Sequence, residues 1–378
     1  MNKKIVPMPG MSCYFDMGAF AASVLSEGNA FITNGIIQPA LDVYFTSLFH
    51  TMSINGQKHI ILGFAQLDSI DVYYNPVASS AIDPNDSIAA LIVNPSYMNL
   101  KDLNSSVVFS NLLNYICYYA HQKRITVTIS FGGPSSDPST SYQIVNLQAG
   151  ETYQGQVQKL IQFMINTGLD GIDFNFQNIP FVAGTPSFSG MSVDSTGAKF
   201  VDFFNFLAMP AKLSNKNVSL TVATATIYVP VFQPIMDNFS CLNLMAYNFQ
   251  IGTLYYLDPQ TPEPKLDWAT IDPWIQAYGI GIPQNIQQIN IGFQDAVPYA
   301  SQGANGGWYE EYTIQPGSSN GSAAAQLFNQ LQSILNVQLG YPFFYPGANV
   351  SSRYVPIAGN ASNFTSQFMI DFYESLPE

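Results

Sequence analysis

Residues 170–177 read Asp170-Gly171-Ile172-Asp173-Phe174-Asn175-Phe176-Gln177, a strand whose polar side chains recur at every second position. Strand geometry sends Asp173, Asn175 and Gln177 to one face and Phe174 and Phe176 to the other. Polar side chains on an otherwise apolar strand are costly to bury without partners. They therefore line either a wet cavity or a satisfied hydrogen-bond network in a core. Asp173 is placed to accept from the Asn175 amide, and the two phenylalanines face whatever packs behind the sheet.

Outward from this strand, short apolar runs alternate with helical patterns along the whole chain, the sequence form of a parallel barrel or a doubly wound sheet. Eight strands fit, near 11–16, 60–66, 125–131, 171–177, 219–224, 242–247, 289–293 and 342–345. Apolar residues recur at three and four over 107–121, 156–166, 198–213, 323–335 and 363–376, which predicts helices there. Eight such units closing on themselves give an α/β fold, a single (β/α)8 TIM barrel with one domain over 1–378. The connection 294–341 is short for a large α+β insertion domain. In a barrel of this kind the working face is at the C-terminal ends of the strands, where Asp16, Phe64, Gln177, Tyr247, Asn248 and Tyr345 fall.

Composition narrows the function. With 47% hydrophobic and 14% aromatic residues, the 378-residue chain can bury a large core. A net charge of -13 with only 12 Lys plus Arg leaves no basic stripe for a phosphate backbone or an anionic membrane, so neither nucleic acid nor membrane is an expected partner. No apolar run approaches the roughly 20 residues that span a bilayer. Pro7, Pro9 and Gly10 interrupt any apolar segment of signal-peptide length, which leaves the compartment open. Cys13, Cys117 and Cys241 have no zinc-ligand spacing and are expected as buried free thiols. With His50, His59 and His121 the only histidines, neither a metal nor a cofactor is expected, and His121 suits the surface end of a helix.

Three stretches in order resemble glycoside hydrolase family 18, the chitinases and their relatives. The octapeptide at 170–177 is similar to the family's DxxDxDxE signature, with Asn175 at the last Asp and Gln177 at the Glu. Ser130-Phe131-Gly132-Gly133 resembles its SxGG, and Met245-Ala246-Tyr247-Asn248 its sixth-strand motif. None is specific alone, whereas the three together at strand–helix separations are. The resemblance implies a TIM barrel over essentially the whole chain. It also makes Asp170, Asp173, Asn175 and Gln177 the counterparts of the catalytic row. Tyr247, Asn248, Met245, Gly132 and Gly133 become candidate sugar-site residues. Phe64, Tyr345 and Trp308 are candidate stacking platforms, each also readable as ordinary packing.

Family members, as the resemblance implies, protonate the glycosidic oxygen with the Glu, and the sugar's own acetamide attacks the anomeric carbon. An amide at Gln177 has no proton to transfer, and Asn175 offers no negative charge to a cationic intermediate. Both keep the volume and most hydrogen-bond positions of the acids. The expected function is a catalytically inactive chitinase-like protein that binds N-acetylglucosamine-containing glycans, with chitin-type glycan as its partner. The family includes inactive seed proteins in which Gln stands at the acid's position. Two alternatives stay open: a structural, storage or assembly protein that self-associates or binds another protein, and a weak or engineered-inactive chitinase. In a weak hydrolase Glu310 or Glu311 would supply the proton, whereas the second substitution, Asn175, speaks against an engineered Gln177.

Overall fold

The structure is a computed structural model that describes residues 11–26, 31–67, 69–74, 98–102, 106–133, 153–176, 181–182, 185–186, 193–223, 233–245, 255–257, 264–266, 289–295, 322, 325–326, 328–329, 343–346 and 367–376. Eight parallel strands among them form a closed barrel. They are β1 Met11–Asp16, β2 Gln57–Ala65, β3 Thr126–Gly132, β4 Gly171–Phe176, β5 Asn217–Ala223, β6 Cys241–Met245, β7 Ile289–Asp295 and β8 Phe343–Pro346. Each pairs with the next, and β8 returns to β1 with Ser12 opposite Phe343 and Cys13 opposite Phe344. The fold is thus the (β/α)8 barrel expected from the alternation of strand and helix patterns, and each strand expected from the sequence overlaps a barrel strand.

Around the barrel lie α1 Met17–Ser26, α2 Pro39–Ile54, α3 Leu112–Gln122, α4 Tyr153–Thr167, α5 Val193–Leu213 and α6 Gln367–Glu374. Their apolar stripes meet the outward side chains of the strands. Phe174 and Phe176 on β4 are fully buried, and the Phe174 ring packs edge-on against Phe203 and Phe204 of α5 at 5.9 and 5.0 Å. Burying one such ring contributes about 1.5–3 kcal/mol. On α2, Leu41, Phe45, Leu48 and Met52 recur at the helical period and are buried, while Pro39 sits in the first turn, where its missing N–H costs nothing. Among the described residues no helix is long and apolar enough to cross a membrane.

One predicted boundary is corrected. The helix expected over 107–121 begins only at Leu112, because Val108–Phe109 forms a strand that pairs antiparallel with Leu100–Asp102. Asn111 sets the start: its side chain accepts from the Asn114 N–H at 2.9 Å, the N-cap bond that closes the first turn. The helix expected over 363–376 appears as α6, which closes the barrel bottom. Its Met369 sulfur accepts from Gln57 at 2.9 Å, and its Tyr373 ring lies where a Cβ on Gly56 would have to go. Most of 323–335 and of the 294–341 connection lies outside the described residues.

The barrel interior departs from the Val/Ile/Leu filling usual for this architecture. Ser12, His59, Thr128, Ser130, Asp173, Asn175, Ser219, Thr221, Asn243 and Asn290 are all buried there at 1% exposure or less. They form two tiers. In the lower one His59 is held between the Ser12 hydroxyl at Nδ1 and the Thr128 hydroxyl at Nε2, both at 2.8 Å. Cys13, Cys117 and Cys241 are buried free thiols, as expected.

Burial disfavours the imidazolium and lowers His59 from the ordinary 6.5 to about 4, only partly offset by the field of Asp170. Unfolding lets the ring take up a proton between those two values. The neutral ring therefore adds stability that is fully present above about pH 6.5 and is lost as the pH falls to about 4, on the order of 3 kcal/mol in total. Urea unfolding followed across this range should show the wild-type stability falling by about that amount relative to His59→Gln. Parallel pH profiles for the two proteins would rule this role out.

Candidate functional site

The upper tier is built on Asp173. Its strand neighbours in register are Ser130 on β3 and Ser219 on β5, so all three side chains enter the barrel at one level. Ser130 donates to Oδ2 at 2.7 Å and Ser219 to Oδ1 at 2.7 Å. Tyr14 of β1 reaches Oδ2 at 2.8 Å, Thr221 of β5 reaches Oδ1 at 2.8 Å, and the Asn243 amide of β6 adds a longer contact to Oδ1 at 3.3 Å. Burial drives the Asp173 carboxyl above the usual carboxylate range, while the hydroxyls of Ser130, Ser219, Thr221 and Tyr14 pull it back.

Asn175 stands one level higher, opposite Gly132 and Thr221. Its amide Nδ2 donates to the Tyr14 hydroxyl at 3.3 Å and not to Asp173 as expected. The reason is spacing: side chains two apart on a strand rise about 6.6 Å, beyond direct hydrogen-bond reach unless one bends back. The other amide atom, Oδ1, is buried and has no hydrogen-bond partner among the described residues.

The paired glycines carry the geometry that brings these strands together. Gly132 has φ +102°, and a Cβ there would lie 2.3 Å from the Asn175 carbonyl oxygen. Gly133, at φ +87°, donates its N–H to that same oxygen at 3.0 Å, and a Cβ on it would strike the Phe64 ring. Phe64, preceded by a cis peptide bond, in turn lies against Tyr14 with ring centroids 5.8 Å apart. The Ser-x-Gly-Gly sequence thus supplies one donor to Asp173 and two positions where only a glycine backbone fits.

Of the residues singled out from sequence, Asp173 lies at the centre of β4, Asn175, Gly132, Gly133 and Phe64 come together above it, and Met245 closes β6 fully buried. Asp170 does not join them. It precedes β4 at the opposite end of the barrel, where Oδ2 accepts from the Val127 N–H and pairs with the exposed His121, each at 2.8 Å. Tyr345 belongs to β8, but its side chain is not among those described. Gln177, Tyr247, Asn248, Trp308, Glu310 and Glu311 lie outside the described residues. Asp16 sits at the end of β1 and accepts from the Ala19 N–H at 3.0 Å in the first turn of α1. Among the described residues no group of three or more His, Cys, Asp or Glu could hold a metal ion.

Sequence reasoning missed Tyr14, Ser219, Thr221 and Asn243. The available signal was the same alternation that marks β4: Ser12-Cys13-Tyr14, Ser219-Leu220-Thr221 and Leu242-Asn243-Leu244 each carry polar groups into an otherwise apolar strand. Gly132→Ala should destabilise the fold by about 3 kcal/mol or more, since it adds both a left-handed backbone penalty and a clash with β4. Denaturant unfolding would register this, and a variant of unchanged stability would contradict the close approach.

A glycoside hydrolase family 18 chitinase from Pseudoalteromonas aurantia matches with a TM-score of 0.52 at 13% identity, covering 97% of this chain and 100% of that one. The class V chitinase from Nicotiana tobaccum matches with a TM-score of 0.51 at 11% identity over 98% and 99% of the two chains. A Glu-to-Gln mutant of that enzyme in complex with NAG4 gives 0.50 at 10% identity, over 98% and 99%. At such identities the likeness is one of fold. No curated protein sequence matches the chain. The family model described as "Glycosyl hydrolases family 18" matches residues 40–339, most of the barrel, and the chain belongs to that family.

Proposed function

We propose that this protein holds N-acetylglucosamine-containing glycans in the groove at the C-terminal end of the barrel and does not cleave them. The observation that carries this reading is Asn175 Oδ1, a buried acceptor without a donor among the described residues. Leaving such an atom unmet costs about 1–3 kcal/mol, so its site favours a ligand that brings an N–H. The acetamido N–H of an N-acetylated sugar is such a group, and plain hexoses lack it.

Absence of cleavage follows from the sequence at the two positions where the family signature has acids. Asn175 and Gln177 are amides, and an amide cannot protonate a leaving oxygen, a step worth about 10²–10⁴-fold. Loss of acids is compatible with retained binding, since Asn and Gln preserve shape and hydrogen-bond positions. The Nicotiana Glu-to-Gln mutant solved with NAG4 supports that compatibility for a barrel of this fold.

An assembly role draws on a separate observation. Phe206, Met209 and Leu213 are 50%, 62% and 65% exposed and follow one another at helical spacing along α5. Concentration-dependent self-association abolished by Met209→Lys, in a protein that takes up no sugar, would favour that role.

Calorimetric titration with chito-oligosaccharides should give saturable binding, and no heat at millimolar ligand with an intact fold would overturn the glycan reading. A fluorogenic chitobioside should remain uncut by the natural chain. Turnover should appear, by at least about 10²-fold over background, in the Asn175→Asp, Gln177→Glu double variant. Turnover by the natural chain would overturn the inactive assignment.

A further inference from the structure

The contacts around Asp173 hold more oxygen pairs than the hydroxyls have protons. Tyr14, Ser130, Ser219 and Thr221 each lie 2.7–2.8 Å from a carboxyl oxygen, which makes four short O···O contacts. A fifth joins Tyr14 Oη to Thr221 Oγ1 at 2.9 Å. Each contact at such a distance needs one proton between its oxygens, because two lone-pair-bearing oxygens facing each other without one repel. The four hydroxyls supply four protons. If all four point at an ionised carboxylate, the Tyr14–Thr221 contact has none. If Tyr14 or Thr221 turns to fill that contact, one close approach to the carboxylate is left bare. The Asn243 amide does not make up the deficit, since its donors serve Asp173 Oδ1 and Thr221 Oγ1 along separate lines at 3.3 and 3.0 Å. The Asn175 amide likewise donates to the Tyr14 oxygen from outside the ring.

We infer that the fifth proton resides on Asp173, so that the floor of the site is an uncharged carboxylic acid which favours neutral, N-acetylated sugars over their deacetylated, cationic counterparts. The proton closes a ring of three hydrogen bonds through Asp173, Tyr14 and Thr221, with Ser130 and Ser219 donating from outside. The ring can run in either sense, and every oxygen in it is satisfied. Full burial points the same way, because desolvation disfavours the carboxylate. The titratable groups that face Asp173 among the described residues are the Tyr14 phenol and the Cys241 thiol, and neither supplies a positive charge to hold an anion. Burial pushes the thiol up, so it too stays neutral.

The preference among sugars rests on the glycan reading above, whereas the proton does not. A buried carboxylate beneath the sugar would attract an ammonium group, and an uncharged acid beside the Asn175 amide gives it nothing in exchange for its lost hydration.

The test begins on the ligand-free, full-length protein with 13C-labelled aspartate. The Asp173 side-chain carboxyl resonance, assigned by its loss in Asp173→Asn, should sit at the protonated position from mildly acidic to mildly alkaline buffer. The infrared C=O stretch of a protonated acid, shifting on transfer to heavy water, gives the same reading on the unaltered chain even if that variant fails to fold. A carboxylate signal at neutral pH overturns the assignment. Calorimetry then compares a chito-oligosaccharide with its fully deacetylated form, and at least about tenfold weaker binding of the latter is expected. Tighter binding of the cationic form overturns the selectivity. A protonated Asp173 in a protein that takes up neither sugar leaves the proton assignment standing and removes the glycan reading instead.

Discussion

A carboxyl group with no exposed surface, set in the middle of a closed barrel, dictates the chemistry of the residues around it. Asp173 cannot be left to itself in that environment, since a buried, unsatisfied acid would cost more than most single side chains contribute. Four strands answer with hydroxyls and an amide, from Tyr14, Ser130, Ser219, Thr221 and Asn243. This is why the interior is polar where such barrels are normally filled with branched aliphatic residues. Asn175, one level above, donates to the Tyr14 hydroxyl and so ties the strand end to the same network.

The outer layer was legible from the sequence because its rule is local. Alternation along β4 separates Asp173 and Asn175 from Phe174 and Phe176, and the two rings stack 6.2 Å apart on the helix side, where that rule puts them. The paired glycines were legible as a motif, and the structure adds their physical reason: one approaches the Asn175 carbonyl and the other lies under Phe64. Asn111 was less visible. A capping side chain after a short strand competes with an apolar periodicity that runs straight through both, so Val108 and Phe109 read as helix.

The partners of Asp173 were hidden for a different reason. Tyr14 and Thr221 touch across 207 positions of sequence, and nothing within either strand announces the other. Only closure of the barrel sets Ser130, Asp173 and Ser219 at one level, since that level depends on the register of neighbouring strands. Asp170 shows the converse. A family signature treats it as part of one row, yet its place before β4 gives it to the Val127 N–H and His121 at the far rim. Short-range pattern thus conveys which face a residue takes, and long-range register decides whom it meets there.

The pairing of β1 with β8 has a bearing on how the chain is made. Cys13 and Phe344 are partners, so β1 keeps one edge unpaired until β8, more than 300 residues later, has been made. Contacts so distant in sequence are slow to form, and an open strand edge invites pairing with other chains in the meantime. Its other edge has an earlier mate in β2, with Tyr14 beside Ile61 and Phe15 beside Leu62. The buried polar tier is therefore sealed last: Ser130 and Ser219 flank Asp173 from the adjacent strands, but until β8 arrives the barrel is an open trough whose polar floor water can still reach.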